Sequence, residues 1–155
     1  VLPKASSQHH KPPPDQTSPP TIQVAITAQG HLINLFREGK RHDQPAERIA
    51  SLGTFNLCRG PETADGACEG SKETFTRFDN ARLRERLLAL VREAGDGPRP
   101  RVLVAAADDV PFLALVGTLD AIVTTCTEEG GTGCLRSPAI GDFGMLRSRG
   151  FAGQI

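Results

Sequence analysis

Residues 101–123, RVLVAAADDVPFLALVGTLDAIV, decide the fold class of this chain. An apolar run, residues 101–107, lies between the breaker-rich GDGPRP and two aspartates, which is typical of a strand covered on both faces. Asp109 can accept hydrogen bonds from a first helical turn, where Pro111 is tolerated. Apolar residues then recur at helical spacing and form one broad face, predicted to pack in the core: Phe112, Leu113, Leu115, Val116, Leu119, Ile122 and Val123.

A β-hairpin is predicted near the start of the folded part. Apolar and polar residues alternate from Ile22 through Val24 to Ile26, as expected for a strand with one buried face. The Gln-Gly pair at 29–30 marks a tight turn, and residues 32–36 form the returning strand.

A second amphipathic helix is predicted between these two regions. Asp79 or Asn80 can cap its start, and Gly95 ends it. One side is apolar and the other is charged, with Leu83, Leu87, Leu88, Leu90 and Val91 opposite Arg82, Arg84, Glu85, Arg86, Arg92 and Glu93. The arginines could meet acidic peptidoglycan or a partner, but the interleaved glutamates favour an ordinary solvated face.

The order of elements predicts the fold class. A hairpin is followed by a helix, a strand, a helix and a last short strand placed at residues 143–146. This order indicates an α+β two-layer sandwich, with a small mixed sheet and two helices on one of its faces.

The remaining segments divide the chain. Residues 1–20 are rich in proline and serine and predict an extended, flexible linker, and residues 21–155 form the domain. Residues 37–78 lose periodicity and are interpreted as a loop insertion, with a possible short helix at 45–52. Residues 127–155 are a C-terminal extension.

The composition excludes several functions. Eighteen basic residues balance eighteen acidic ones, and tryptophan and tyrosine are absent, so nucleic acid is not expected as a partner. No run approaches the roughly 20 apolar residues needed to cross a bilayer. Because the chain starts at Val1 without a signal peptide, we expect it to be cut from a longer protein.

The four cysteines allow three disulfide pairings. We favour the local one, Cys58 with Cys68 and Cys126 with Cys134, because each bridge would close a short glycine-containing loop. A structural zinc site is the alternative, but neither spacing matches the close pairs that zinc sites use. Disulfides indicate an oxidising compartment, the periplasm or the exterior.

Other reactive groups favour non-catalytic interpretations. Asp108 and Asp109 could form an acid–base pair, but a helix cap is the simpler interpretation, and no nucleophile stands nearby in sequence. The EGGTG segment lacks the Lys-Ser/Thr of a phosphate-binding loop. The histidines, His9, His10, His31 and His42, are interpreted as solvated. We therefore expect no catalytic residue, no cofactor and no metal. A small hydrolase that uses the aspartate pair is kept as an alternative hypothesis.

Three separated segments resemble the ExbD/TolR family of biopolymer transport proteins. The family's LP-x-A motif after its membrane helix is similar to Leu2, Pro3 and Ala5. Its first hairpin is similar to the pattern of Ile22, Val24, Ile26, Gly30, Leu32, Asn34 and Leu35. Its strand–turn–helix motif is similar to Ala107, Asp108, Asp109, Val110, Pro111 and Phe112, with Phe112 where tyrosine is usual. Residues 37–78 and the C-terminal segment depart from the family pattern.

The resemblance implies a periplasmic domain of a proton-driven inner-membrane motor subunit, anchored by one N-terminal helix that this chain does not include. It further implies a homodimer beside an ExbB/TolQ-like proton-channel subunit, acting on a TonB/TolA-like protein or on peptidoglycan. The partner-binding residues that it implies are Leu2, Pro3, Asp108, Asp109, Val110, Pro111 and Phe112. The alternative is a free periplasmic module that binds peptidoglycan or peptides without any motor.

Overall fold

A computed structural model describes residues 19–37, 46–95, 97–125 and 134–144. Their elements are, in chain order, β1 (Thr21–Thr27), β2 (Gly30–Phe36), β3 (Glu47–Ala50), β4 (Thr54–Arg59), β5 (Ser71–Thr76), α1 (Asn80–Ala94), β6 (Arg101–Ala106), α2 (Phe112–Thr125) and β7 (Ala139–Ile140). A five-stranded sheet of order β3-β2-β1-β6-β7 lies against the two helices, and β4 and β5 form a separate two-stranded sheet. The predicted α+β class is therefore confirmed.

The main sheet is mixed, as predicted. Strands β1 and β2 form the expected antiparallel hairpin, in which Ile22 lies opposite Leu35 and Val24 opposite Ile33. Strand β6 lies parallel to β1 on its other side, so the crossover that leaves β3 and passes through β4, β5 and α1 returns the chain to the same sheet. Strand β7 extends the parallel part beyond β6.

The two faces of the sheet differ in what covers them. The face that carries Ile22, Val24 and Ile26 packs with both helices into the main core, which takes Leu83 and Leu87 from α1 and Ala121 and Ile122 from α2. Both leucines are fully buried, and each contributes about 1.5–3 kcal/mol of burial free energy. The opposite face carries a smaller cluster of Ala25, Leu32 and Ala105, against which Phe143 packs.

Local sequence signals place α1. The Asp79 carboxylate accepts a hydrogen bond from the backbone N–H of Arg82 at 3.0 Å, and Gly95 adopts a φ of 78° at the helix end. Both predicted boundaries are confirmed. Arg86 on the charged side binds the Glu47 carboxylate of β3, with Nε and Nη2 at 2.8 and 2.7 Å from the same oxygen. At least one arginine of this face therefore ties the helix to the sheet edge.

The prediction of a short helix at residues 45–52 is wrong. Residues 47–50 form β3 instead, and Ile49 is buried opposite His31 of β2. Pairing with the free edge of the hairpin satisfies backbone groups that an isolated helical turn would leave to water. The interpretation of residues 37–78 as a loop is likewise wrong for its described part, which contains three strands.

The prediction of a last strand at residues 143–146 is also wrong for its described part, residues 143 and 144. The last described strand is Ala139–Ile140, whose pairing with β6 continues in a 2.8 Å hydrogen bond from the Gly141 N–H to the Val104 carbonyl. Phe143 and Gly144 have helical backbone, and residues 145 and 146 lie outside the described residues. Of the predicted linker, the described part contains Pro19 and Pro20 alone. Neither α1 nor α2 is long and apolar enough to cross a membrane.

Candidate binding cleft

The two-stranded sheet β4–β5 stands beside the main fold and is held at its base. The Leu52 N–H donates to the Arg77 carbonyl, and the Arg77 N–H donates to the Gly53 carbonyl, both at 2.8 Å. The Thr76 hydroxyl reaches the β1–β2 turn and donates to the Ala28 carbonyl at 3.0 Å. The position of this hairpin relative to the main sheet is therefore set by hydrogen bonds at its root.

A disulfide closes the far end of the same hairpin. Cys58 and Cys68 are bonded, with their Cα atoms 5.6 Å apart, so this half of the predicted local pairing is confirmed. The predicted bridge from Cys134 involves Cys126, which lies outside the described residues. Because the hairpin is fixed at its root and closed at its tip, it can serve as a rigid wall.

An apolar cleft of about 430 Å³ separates this wall from α2, and we call it the aromatic cleft. The rings of Phe55 and Phe75 lie on its hairpin side, with centroids 5.6 Å apart. The Arg77 guanidinium lies 5.7 Å from the centre of the Phe55 ring, within the range of a cation–π contact. The cleft is lined by Phe55, Phe75, Thr76, Arg77, Phe78, Asn80, Pro111, Leu113, Ala114, Val116, Gly117 and Asp120.

The other wall is the N-terminal half of α2, which is more exposed than its sequence indicates. Phe112 is 77% exposed, Leu113 60% and Val116 44%, and Val123 further along is 59% exposed. The prediction that the apolar residues of this helix all pack in the core is therefore wrong for these four. Ala121 and Ile122 fill the core from the opposite side of α2, so the helix is apolar on its outer side as well.

A second cleft of about 390 Å³ adjoins the first and is rich in carboxylates, and we call it the acidic cleft. Glu73, Asp108 and Asp109 line it, and Glu73 also forms an ion pair with Arg59. Its complete lining is Ala28, Glu73, Thr74, Phe75, Thr76, Phe78, Asp108, Asp109, Val110 and Pro111. The two clefts share Phe75, Thr76, Phe78 and Pro111, and so form one continuous depression.

Four of the sequence-predicted partner-binding residues meet in this depression. Asp108, Asp109, Val110 and Pro111 line the acidic cleft, and Phe112 stands exposed directly after them. Leu2 and Pro3 lie outside the described residues. What the sequence did not predict is the opposite wall, because residues 55 and 75–78 were interpreted as part of a loop.

The turn between β6 and α2 has a different geometry from the expected one. The Val110 N–H donates to the Ala107 carbonyl at 3.0 Å, and α2 begins at Phe112. Pro111 therefore stands immediately before the helix rather than within its first turn. Both aspartates are exposed to solvent, which leaves their carboxylates accessible to a ligand.

His31 lies beneath this region and is fully buried, so the prediction of a solvated histidine is wrong for it. Its Nε2 lies 2.8 Å from the Thr118 Oγ1 of α2, and its ring centre is 5.1 Å from that of Phe78. Burial lowers the pKa of His31 to about 4, and the negative charge of Asp79 opposes this shift. The missed signal was the strand alternation, which puts residue 31 on the same face as Ile33 and Leu35.

The depression offers groups that suit binding. Its apolar rings and aliphatic groups can bury a bulky side chain, and the carboxylates at one end can attract positive charge. The Thr76 hydroxyl donates a hydrogen bond to the Ala28 carbonyl. Within the described ranges, no three side chains of histidine, cysteine, aspartate or glutamate are grouped to hold a metal ion.

Comparison of the chain with models of known families, with curated proteins and with solved structures finds no match.

Proposed function

We propose that this chain is the periplasmic domain of an inner-membrane motor subunit that is driven by the proton-motive force. It transmits energy to a TonB/TolA-like partner or to the cell envelope, as its resemblance to the ExbD/TolR family implies. The full-length protein is anchored by one N-terminal helix and acts as a homodimer beside an ExbB/TolQ-like proton-channel subunit.

The observation that carries this proposal is where the family-like segments lie. The hairpin pattern occupies β1 and β2, and the motif at 107–112 joins β6, the parallel neighbour of β1, to α2. Two segments separated by more than 70 residues of chain thus occupy adjacent strands and end at one depression. This agreement between motif and position supports a shared architecture better than either segment does alone.

The cleft supports a role in which the domain grips a partner. Force transmission requires a rigid body with a surface that holds another molecule, and the depression provides apolar contact area at its centre and charge at its edge. Its hairpin wall is closed by the Cys58–Cys68 disulfide, a bond that persists in an oxidising compartment such as the periplasm.

The test begins with the native gene upstream of the codon for Val1. An apolar run of about 20 residues with one aspartate, preceded by a short basic segment, is expected. The full-length protein should then co-purify from membranes with a channel subunit, and an Asp→Asn change in that helix should abolish energy-dependent contacts of the domain while leaving its fold intact. A cleavable signal peptide at that place would contradict the proposal.

The cleft also favours the second candidate, a free periplasmic module that binds peptides or peptidoglycan. This candidate needs no membrane helix, because the depression lies wholly within the described domain. A signal peptide upstream, together with binding by the secreted domain, would support it.

A further inference from the structure

We propose that the aromatic and acidic clefts together bind a segment of a partner protein in which one bulky apolar side chain stands close to lysine or arginine residues. This proposal deepens the proposed function, and it rests on that function only in taking the ligand to be a protein. The occupant is defined by its chemistry: an apolar anchor for the aromatic cleft, and positive charge for the acidic one.

The aromatic cleft demands an apolar anchor. It is bounded by Phe55 and Phe75 on the hairpin and by Leu113 and Val116 on α2, and the latter two are 60% and 44% exposed. A cleft of about 430 Å³ accommodates a large side chain together with part of its backbone. Burial of such an anchor would remove apolar surface from water on both walls, which is the main source of affinity in protein interfaces.

The charge of the depression selects the flanking residues. The chain as a whole has a net charge of zero, yet Glu73, Asp108, Asp109 and Asp120 line the two clefts against Arg77 alone. Arg59 also pairs with Glu73, and the two neighbouring aspartates of the turn are both exposed. The excess negative charge is therefore local, and a basic segment complements it.

The shared wall requires anchor and charge to be close in the ligand. Phe75, Phe78 and Pro111 border both clefts, so a side chain in one cleft is next to a side chain in the other. The occupant therefore carries its basic residues next to the apolar anchor, an arrangement that one short segment of chain can provide.

A second copy of the chain fits this depression less well than a basic partner. Its own exposed apolar residues at the start of α2, Phe112, Leu113 and Val116, lie a few residues after Asp108 and Asp109. Docking of that segment into the cleft of another copy would bring two further carboxylates to an acidic site, and like charges suppress association.

Fluorescence anisotropy with three short fluorescein-labelled peptides tests the proposal on the 155-residue chain under non-reducing conditions, with the Cys58–Cys68 disulfide intact. The first peptide has a central Leu-Phe pair flanked by lysines, the second has glutamates in place of the lysines, and the third has serines in place of the Leu-Phe pair. We expect saturable binding of the first peptide, and at least about tenfold weaker binding of each of the others. Binding of the first should also weaken as salt is added.

Substitutions in each cleft test whether the peptide binds there. Asp108→Lys combined with Asp109→Lys should weaken the lysine peptide about tenfold and should strengthen the glutamate peptide, because the local charge is inverted. Leu113→Gln should weaken the lysine peptide through loss of the apolar wall, because it removes apolar surface without adding a charge. The matched controls are Glu62→Lys combined with Asp65→Lys in the disulfide-closed loop, and Val123→Gln further along α2. All three positions are exposed and line neither cleft.

The outcomes separate this proposal from the proposed function. The proposal is overturned if no peptide binds, if the lysine and glutamate peptides bind equally, or if the controls reduce binding as much as the cleft variants. It is also overturned if sedimentation shows that the chain self-associates and that Leu113→Gln abolishes this association, because the depression would then hold a second copy. None of these results depends on a membrane helix. The motor role can therefore be refuted while the proposed peptide binding is confirmed, and the peptide binding can be refuted while the motor role is confirmed.

Discussion

Protonation of His31 should destabilise this protein in mild acid, and the size of the effect follows from its burial. The ring is fully buried between β2 and α2, with Nε2 hydrogen-bonded to the Thr118 hydroxyl at 2.8 Å. Its Nδ1 is buried and has no hydrogen-bond partner within the described part of the chain. A proton on this ring would therefore place a charge where water cannot reach it.

The direction and magnitude can be worked out from the pKa. Burial lowers the pKa of His31 from 6.5 to about 4, so between these values the unfolded chain binds the proton and the folded chain does not. The contribution of the neutral His31 ring to the unfolding free energy is thus fully present above pH 6.5. It is lost as the pH drops towards about 4. At about 1.4 kcal/mol per pKa unit the total loss is about 3 kcal/mol, of which about 2 kcal/mol is lost by about pH 5.

The assay is urea unfolding at a series of pH values, with His31→Gln as the comparison. Glutamine does not titrate and can still bond to the Thr118 hydroxyl, so the variant should have a lower unfolding free energy at neutral pH but a shallower decline in acid. The quantity that matters is the difference between the two pH profiles, about 2 kcal/mol between about pH 7.5 and 5. The other histidines and the carboxylates are common to both proteins and cancel.

Parallel pH profiles for the two proteins would refute this reasoning. An NMR titration of the folded wild-type chain provides an independent check, because the imidazole of His31 should stay neutral at a pH where an ordinary histidine is half protonated. A normal titration midpoint for His31 would show that the ring is not buried as described.

Three further changes test other parts of the fold. Replacing Cys58 and Cys68 by serine should lower the unfolding free energy by about 2–3 kcal/mol. Reduction of the wild-type protein should likewise lower its melting temperature. Equal melting temperatures for the wild type and the serine variant would contradict this prediction. Gly30→Ala should cost about 2 kcal/mol, because φ is 136° and the new Cβ would overlap a carbonyl of β3, whereas Gly97→Ala in open space should cost little. Leu87→Ala should cost about 2–5 kcal/mol in urea unfolding, and a smaller loss would mean that the core at α1 is not close-packed.

Elements with strong local signals were predictable. The Asp79 cap, the spaced leucines and Gly95 specify α1 through contacts within a few residues of each other, and the structure reproduces them. The same holds for the β1–β2 hairpin, where the alternation and the tight turn act locally. Such features can be read from sequence because the interactions that form them span one or two turns of chain.

Elements that depend on distant partners were missed. Strand β3 is four residues long and has little strand pattern of its own, and it exists because β2 offers a free edge for pairing. The β4–β5 hairpin has short strands that are largely exposed to solvent, and their pairing continues up to the disulfide. Periodicity alone could not separate these strands from a loop.

The candidate site shows the same division. The acidic turn with Asp108, Asp109 and Pro111 was predicted to bind a partner only through its resemblance to a family motif, while its residues by themselves favoured a helix cap. The aromatic wall of Phe55 and Phe75 was not predicted, since it belongs to a segment some 30 to 50 residues away in the chain. Its position follows from the hydrogen bonds that root the hairpin at Gly53, Arg77 and Ala28.

The sequence by itself determined the α+β class, both helices, the β1–β2 hairpin and the strand that enters the acidic turn, because each is specified by patterns of near neighbours. Only the tertiary structure decided the edge strands, the burial of His31, the exposed outer side of α2 and the depression between that helix and the hairpin. All four depend on which surfaces meet when distant parts of the chain pack together. A residue pattern records that a side chain is apolar or charged, but not what lies opposite it.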